Sequence, residues 1–210
     1  MRARFIPVAC AVAAIVAGCG GSPHAVAPTT TKAAAPPKTT TQAAAPAQTG
    51  PGALQAEAKA TAAGDIPDNQ VFLVFRNAAA GYAIKYPEGW AQQGSGKLVT
   101  FRDKNNIVRI VAGPGGAAST ASVHADIAKL RGAQVRDQPR TISIAGTAAV
   151  KVVYSTESAP NPVTGKRVEL VVDRYYLSSG GRRAVVDLGA PRGVDNVDAY
   201  RLMIESFRWS

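Results

Sequence analysis

Four segments in the second half of the chain repeat apolar residues at a spacing of two: Ile142/Ile144, Val150/Val152/Tyr154, Val168/Leu170/Val172 and Ala184/Val186/Leu188. Side chains alternate faces along a strand, so this period marks half-buried strands. The connections between them are short: Ala145-Gly146-Thr147 and Ser178-Ser179-Gly180-Gly181 are tight turns, and Pro160 to Gly165 marks a longer one. Parallel neighbours need a crossover of a dozen residues or more, so strands joined this closely run antiparallel.

The preceding stretch continues the pattern. Val71 to Phe75 is a continuous apolar run, and Tyr82, Ile84 and Tyr86 alternate with Ala83 and Lys85 until Pro87 ends the segment. Lys97 to Arg102 and Ile107 to Val111 flank Asp103-Lys104-Asn105-Asn106, whose residues favour a hairpin turn. Two segments instead follow the helical period. From Ser119 to Arg131, Val123, Ile127 and Leu130 share a face, a serine caps the start and Gly132 stands at the stop. From about Asp195, Val197, Tyr200, Ile204 and Phe207 align at spacings 3, 4 and 3. Four strands, a helix, four strands and a helix make an α+β domain: a central, mainly antiparallel sheet with helices packed on its faces.

Residues 65–210 form this domain, and the chain before them has a different character. Between residues 20 and 64 Ala, Thr, Pro and Gln dominate, with the near-repeat Thr29 to Pro37 and Thr39 to Pro46. No aromatic residue occurs there, and Val26 and Leu54 are its only large aliphatics. Too little apolar area is available to offset ordering entropy, so the expectation is a disordered tether with a helical turn or two over Leu54 to Ala63. Fully extended at about 3.1 Å per residue it would reach on the order of 130 Å.

The N-terminus has the three parts of an export signal. Arg2 and Arg4 give a positive start, Phe5 to Val16 is apolar, and Val16, Ala17 and Gly18 lead into Cys19. The apolar run is too short for a transmembrane helix across about 30 Å of hydrocarbon. It resembles a bacterial lipobox: residues 1–18 are the expected cleaved signal, and Cys19 is the expected diacylglyceryl anchor at the extracytoplasmic face of the cell membrane. Cys10 lies inside the signal, so the mature chain is left with neither a free thiol nor a disulfide. With only His24 and His124 besides, no metal site and no cofactor are expected.

Five of the 24 basic residues and one of the 14 acidic residues precede position 65, which leaves 19 and 13 in the domain, a net charge of +6. An anionic lipid or cell-wall polymer suits that excess, and nucleic acid is not an expected partner outside the membrane. Lys166, Arg167, Arg174, Arg182, Arg183 and Arg192 fall near turns of adjacent expected strands and form the candidate anion-binding patch, the alternative being solvated turns. Trp90, Tyr175, Tyr176 and Trp209 read as supports beneath the turns rather than as an aromatic binding surface.

No catalytic constellation emerges. Gly113-Pro114-Gly115-Gly116-Ala117-Ala118 fits a dinucleotide fingerprint, with Asp137 downstream as the ribose ligand. Against it, Pro114 removes an amide and residues 140–190 contain only strands, where a doubly wound sheet needs helices. Gly94-Ser95-Gly96 lacks the spacing of a nucleophile elbow, and His124 reads as a surface residue. Asp173 and Asp187 could meet through sheet pairing, but ion pairs with Arg174 or Arg183 are the plainer expectation.

Gly81-Tyr82-Ala83-Ile84-Lys85-Tyr86-Pro87-Glu88-Gly89-Trp90 resembles the opening of PsbP-like domains. Phe101-Arg102-Asp103, Ile144 to Thr147, Asp173 to Tyr176 and Ser206 to Trp209 follow in that family's order, over roughly residues 70–210. The resemblance implies an α-β-α sandwich and a non-catalytic binding or assembly module, and it carries over no ligand residue. The expected function is a lipid-anchored envelope module that binds a protein or an anionic polymer or lipid. The alternative is an accessory subunit for envelope lipid or glycan transport, which would need a deep apolar cavity between sheet and helix.

Overall fold

The computed structural model describes residues 51–161 and 163–210. The signal segment, Val16 to Cys19 and the tether up to residue 50 lie outside the described residues. Alanine has the strongest helix propensity, and proline is tolerated in the first helical turn. Accordingly the end of the expected tether is a 13-residue helix, α1 (Pro51–Ala63), longer than the turn or two read from the sequence.

The strands are β1 (Phe72–Asn77), β2 (Tyr82–Pro87), β3 (Ala91–Ser95), β4 (Leu98–Asp103), β5 (Asn106–Pro114), β6 (Gln134–Ile144), β7 (Thr147–Glu157), β8 (Glu169–Ser179), β9 (Arg182–Pro191) and β10 (Arg208–Trp209). Helix α2 (Thr120–Ile127) follows β5, and α3 (Val197–Glu205) follows β9. All pairings are antiparallel, so the fold is α+β as expected. The strands divide into two sheets rather than one: β1-β2-β10, and β3-β4-β5-β9-β8-β7-β6. The sequence hides β3 because Ala91 to Ser95 has no apolar alternation and every residue is exposed. The expected hairpins form. Ala145 and Gly146 adopt φ of +47° and +81° between Ile144 and Thr147, the twist-compatible turn that puts both central residues at positive φ.

Each face of the seven-stranded sheet has its own core. On one face, Tyr82 and Ile84 of the small sheet and Tyr200, Met203 and Ile204 of α3 pack with Val99, Phe101, Val108, Ile110, Val186 and Leu188. The Tyr82 to Trp90 segment is structural here: Tyr86 stacks on Phe101 at 4.2 Å between ring centroids, and Tyr82 on Phe207 at 5.5 Å. Trp90, Tyr175 and Tyr176 are buried and Trp209 is partly buried, as expected of supports. Val197 departs from expectation. It is 70% exposed at the first turn of α3, and Met203 takes the buried place instead, because the helix faces the sheet along Tyr200, Met203 and Ile204.

On the opposite face, Val123 and Ile127 of α2 cover Val150, Val152, Tyr154, Leu170, Val172 and Tyr176 of β7 and β8. Ser119 caps α2 reciprocally with Ser122, at 3.1 and 3.0 Å. The glycine-rich segment before it is a connection to the β8–β9 hairpin: the Gly115 amide donates to Gly181 O (2.9 Å) and Ser178 Oγ to Gly116 O (3.1 Å). Asp137 lies on β6 and pairs with Arg140 at 3.6 Å.

The entry to the domain is held by two buried asparagines. Asn106 Nδ2 and Asn196 Nδ2 donate to Gly64 O at 2.6 and 3.3 Å, and Asn196 Oδ1 accepts from the Ile66 amide at 2.8 Å. Replacing Asn196 leaves the part-buried Ile66 amide without its partner, and an unpaired buried group costs about 1–3 kcal/mol. Asn196→Ala is therefore expected to lower unfolding free energy by about that amount in denaturant titration.

Candidate functional site

Strand register assembles the site. The cross-strand partners Val152, Arg174, Asp187 and Arg109 lie in one row across β7, β8, β9 and β5, on the α2 face. The adjacent row contains Tyr154, Val172, Gly189, Ile107 and Arg102. Gly189 belongs there because a Cβ would stand 2.8 Å from Ile107 Cγ2 and 3.2 Å from Val172 Cγ2. Its missing side chain keeps the floor low. Helix α2 is only eight residues long, about 12 Å, and lies over β6, β7 and β8, leaving Ile107 and Arg109 of β5 only partly covered beside it.

The result is a concavity of about 460 Å³ on the open part of the sheet. Leu130 and Arg131 beyond α2 close one side, the β4–β5 turn with Lys104 and Asn105 another, and Glu157 to Asn161 a third. Ile107, Leu170 and Val172 contribute apolar floor. Its charged lining comprises Arg102, Lys104, Arg109, Arg131 and Arg174 against Glu157 and Asp187.

At the centre, Arg174 and Asp187 are buried, at 7% and 4% exposure. Arg174 Nε and Nη2 grip Asp187 Oδ1 and Oδ2 at 2.5 and 2.8 Å, a bidentate geometry that suits a planar guanidinium. Arg174 Nη2 also donates to Tyr154 Oη at 3.3 Å, and its guanidinium lies 5.2 Å from that ring's centroid. Burial works against the Arg174 charge, yet the hydrogen bonds and charge of Asp187 outweigh it and hold the guanidinium more firmly protonated than usual. Burial, then the Asp187 charge, pushes the Tyr154 phenol up to about 12, so it stays neutral over the physiological range. Arg109 Nη1 reaches Asp187 Oδ2 at only 3.4 Å, with 39% of its side chain exposed toward the concavity.

The six basic residues read from the sequence do not converge. Arg174 alone lines the site, and it is committed to Asp187. Arg167 lies at the rim, 3.9 Å from Glu157, and donates to Ser158 O; Lys166 is exposed in the same connection. Arg192 and Arg136 both bond Glu169; the Arg192 bond first, then that of Arg136, holds this carboxyl below its ordinary range. Arg182 and Arg183 sit at the opposite end of β9, ten residues or roughly 30 Å away. There Arg182 binds Gly81 O and Ser210 O and stacks over Trp209. Pairs of basic residues near turns look alike in sequence, but β9 carries its two ends to opposite edges of the domain.

Asp173 and Asp187 end on opposite faces, because adjacent positions alternate: Arg174 opposes Asp187, while Asp173 takes Lys151 at 2.6 Å. His124 is exposed on α2, outside the concavity. Among the described residues no His, Cys, Asp and Glu cluster suits a metal ion. Arg102, Arg109 and Arg131 were not singled out from the sequence. The available signal was Ile107-Val108-Arg109-Ile110, an arginine on the outward-alternating face of an otherwise apolar strand.

No family model and no curated protein matches the chain. Among solved structures, cyanobacterial PsbP from Synechocystis shares 16% identity over 70% of this chain and 98% of its own, with a TM-score of 0.47. The Ran-binding protein Mog1p of Saccharomyces cerevisiae shares 8% identity over 67% and 96%, with a TM-score of 0.42. A Bacteroides thetaiotaomicron protein shares 14% over 65% of this chain and 48% of its own, with a TM-score of 0.43, so this chain spans about half its length.

Removing only the acid should be costly. Asp187→Leu strands the buried Arg174 charge and is expected to destabilise by about 3–5 kcal/mol, whereas the double replacement Arg174→Met, Asp187→Leu recovers most of that loss in the same unfolding assay. Tyr154 adds an alkaline signature. Its folded pKa of about 12 exceeds the unfolded value near 10, so the neutral phenol's contribution is whole below pH ~10 and fades toward pH ~12. Tyr154→Phe should flatten that part of the stability profile measured in mild denaturant.

Proposed function

We propose that this chain is a PsbP-like binding module, tethered to the outer face of the cell membrane by a diacylated Cys19, whose concave face receives an anionic envelope partner. One observation carries the reading: Asp187 is consumed by Arg174, while Arg102, Lys104, Arg109 and Arg131 line the same concavity with no second buried acid to neutralise them. Repelling cations around a hollow raise the energy of the empty surface and lower that of an anion entering it.

The domain's attachment supports the same reading. The tether enters at Gly64, and Lys104 of the site's rim donates to Thr61 O in the last turn of α1 at 2.6 Å. The site thus lies close to the end of the chain that leads to Cys19. A binding role, rather than catalysis, fits a floor whose buried groups are already paired with each other: Arg174 has a full partner and Tyr154 holds its proton.

Two measurements test it. Cys19→Ser is expected to move the protein from the membrane to the soluble fraction of intact cells; unchanged membrane partition would remove the anchor. Crosslinking in cells is expected to capture an anionic polymer or an acidic envelope protein, and Arg102→Glu with Arg131→Glu should abolish that capture. Turnover of an envelope substrate by the purified protein, lost on substitution in the concavity, would overturn the non-catalytic reading.

A further inference from the structure

We infer that the concave face is a site for a phosphomonoester carried on an apolar substituent. This rests on the concave face being the binding surface, and it names the ligand's chemistry. Arg174 is not the ligand-binding arginine: it is buried and spent on Asp187 and Tyr154. Its role is to fill the acid's coordination. Asp187 can then offer Arg109 only a long contact of 3.4 Å, which orients that guanidinium and leaves its remaining N–H groups for the half-exposed side.

Three further cations line the same hollow. Arg102 and Arg131 are exposed and have no ion-pair partner among the described residues, and Lys104 uses one of its three protons on Thr61 O. Glu157, the remaining acid, faces Arg167 at the rim. Two available guanidiniums with a third held by Asp187, plus an ammonium, are more positive charge than a single carboxylate neutralises. A phosphate dianion has the charge and the oxygens for forked N–H donors.

The floor sets the rest of the ligand. Beside Arg109 and Arg102, Ile107 and Leu130 are only half-buried, over the buried Leu170 and Val172. Aliphatic surface next to the cations gives a compact ring or acyl segment somewhere to lie. A volume of about 460 Å³ accommodates a small organic phosphate and exceeds what an inorganic ion needs. Lipid headgroups and soluble phosphate esters share this chemistry.

Calorimetry on the full mature chain carrying Cys19→Ser, with phenyl phosphate as probe, tests the assignment. Phenyl phosphate should bind at least about tenfold more tightly than inorganic phosphate, phenol or benzoate, because only it meets both halves of the site. Arg109→Gln and Arg102→Gln should each weaken it about tenfold or more, and Arg183→Gln, at the other end of the sheet, should not change it. Ile107→Ala should weaken phenyl phosphate severalfold and leave inorganic phosphate unchanged. Arg102 is exposed, so its variant decides the matter should Arg109→Gln unfold. Binding to phosphatidic acid vesicles, over phosphatidylcholine vesicles and displaced by phenyl phosphate, would identify a lipid headgroup; phenyl phosphate binding without vesicle binding would identify a soluble ester. Benzoate or inorganic phosphate binding as tightly as phenyl phosphate, or affinity untouched by Arg102→Gln, would overturn the inference. Loss of cellular capture in the Arg102→Glu, Arg131→Glu protein alongside such a result would leave the binding-module reading standing.

Discussion

The bidentate contact between Arg174 and Asp187 organises the open half of the sheet. It ties β8 to β9 in the middle of a hydrogen-bonded ladder, with Tyr154 of β7 and Arg109 of β5 attached on either side. Desolvating two charges is expensive, and a buried pair of this kind often stabilises no better than apolar residues of equal volume. Its value lies in direction. With Asp187 filled, the nearest exposed arginine is oriented but not neutralised, and a surface that alternation alone would make plainly apolar becomes cationic.

The two faces of the seven-stranded sheet differ because their covers differ in size. On one side α3 and the small sheet bring Tyr82, Ile84, Phe207, Met203 and Ile204 over Phe101, Val108 and Ile110, and the interior closes. A truncation such as Phe101 to alanine would open a cavity worth about 3–5 kcal/mol there. On the other side the short α2 lies over β6, β7 and β8, so the sheet continues beyond its cover. An exposed sheet face cannot remain apolar without inviting association, and arginines at outward positions supply the polarity. The concavity is what is left uncovered.

Much of the fold was legible from local pattern. The turns at Ala145-Gly146 and Ser178 to Gly181, the α2 segment with Val123 and Ile127 inward, and the hairpin around Lys104 and Asn105 all follow from residues within a few positions of one another. The elements that escaped notice lacked that local signal. Strand β3 has no apolar alternation, β10 is two residues long, and the first half of β6 carries Arg136, Asp137, Pro139 and Arg140, the polar and proline-bearing sequence of a protected edge strand. The site was less legible. Its basic residues were sought in the turns after residue 160, whereas those lining the concavity stand at outward positions inside strands, in the β4–β5 turn and just after a helix.

The residues alone determined the order of the apolar-patterned strands and of α2 and α3, the antiparallel sense and the split between an Ala-, Thr- and Pro-rich segment and an apolar-patterned body, because each depends on composition and on spacings of two to four. Tertiary structure decided which charges meet. Arg174 and Asp187 are 13 residues apart, and Arg109 and Asp187 are 78 apart. Pairing register brings them to one row, and a slip of one residue would send each to the other face. That register is a property of the whole ladder, set by packing on both sides of the sheet, and no short stretch of sequence contains it.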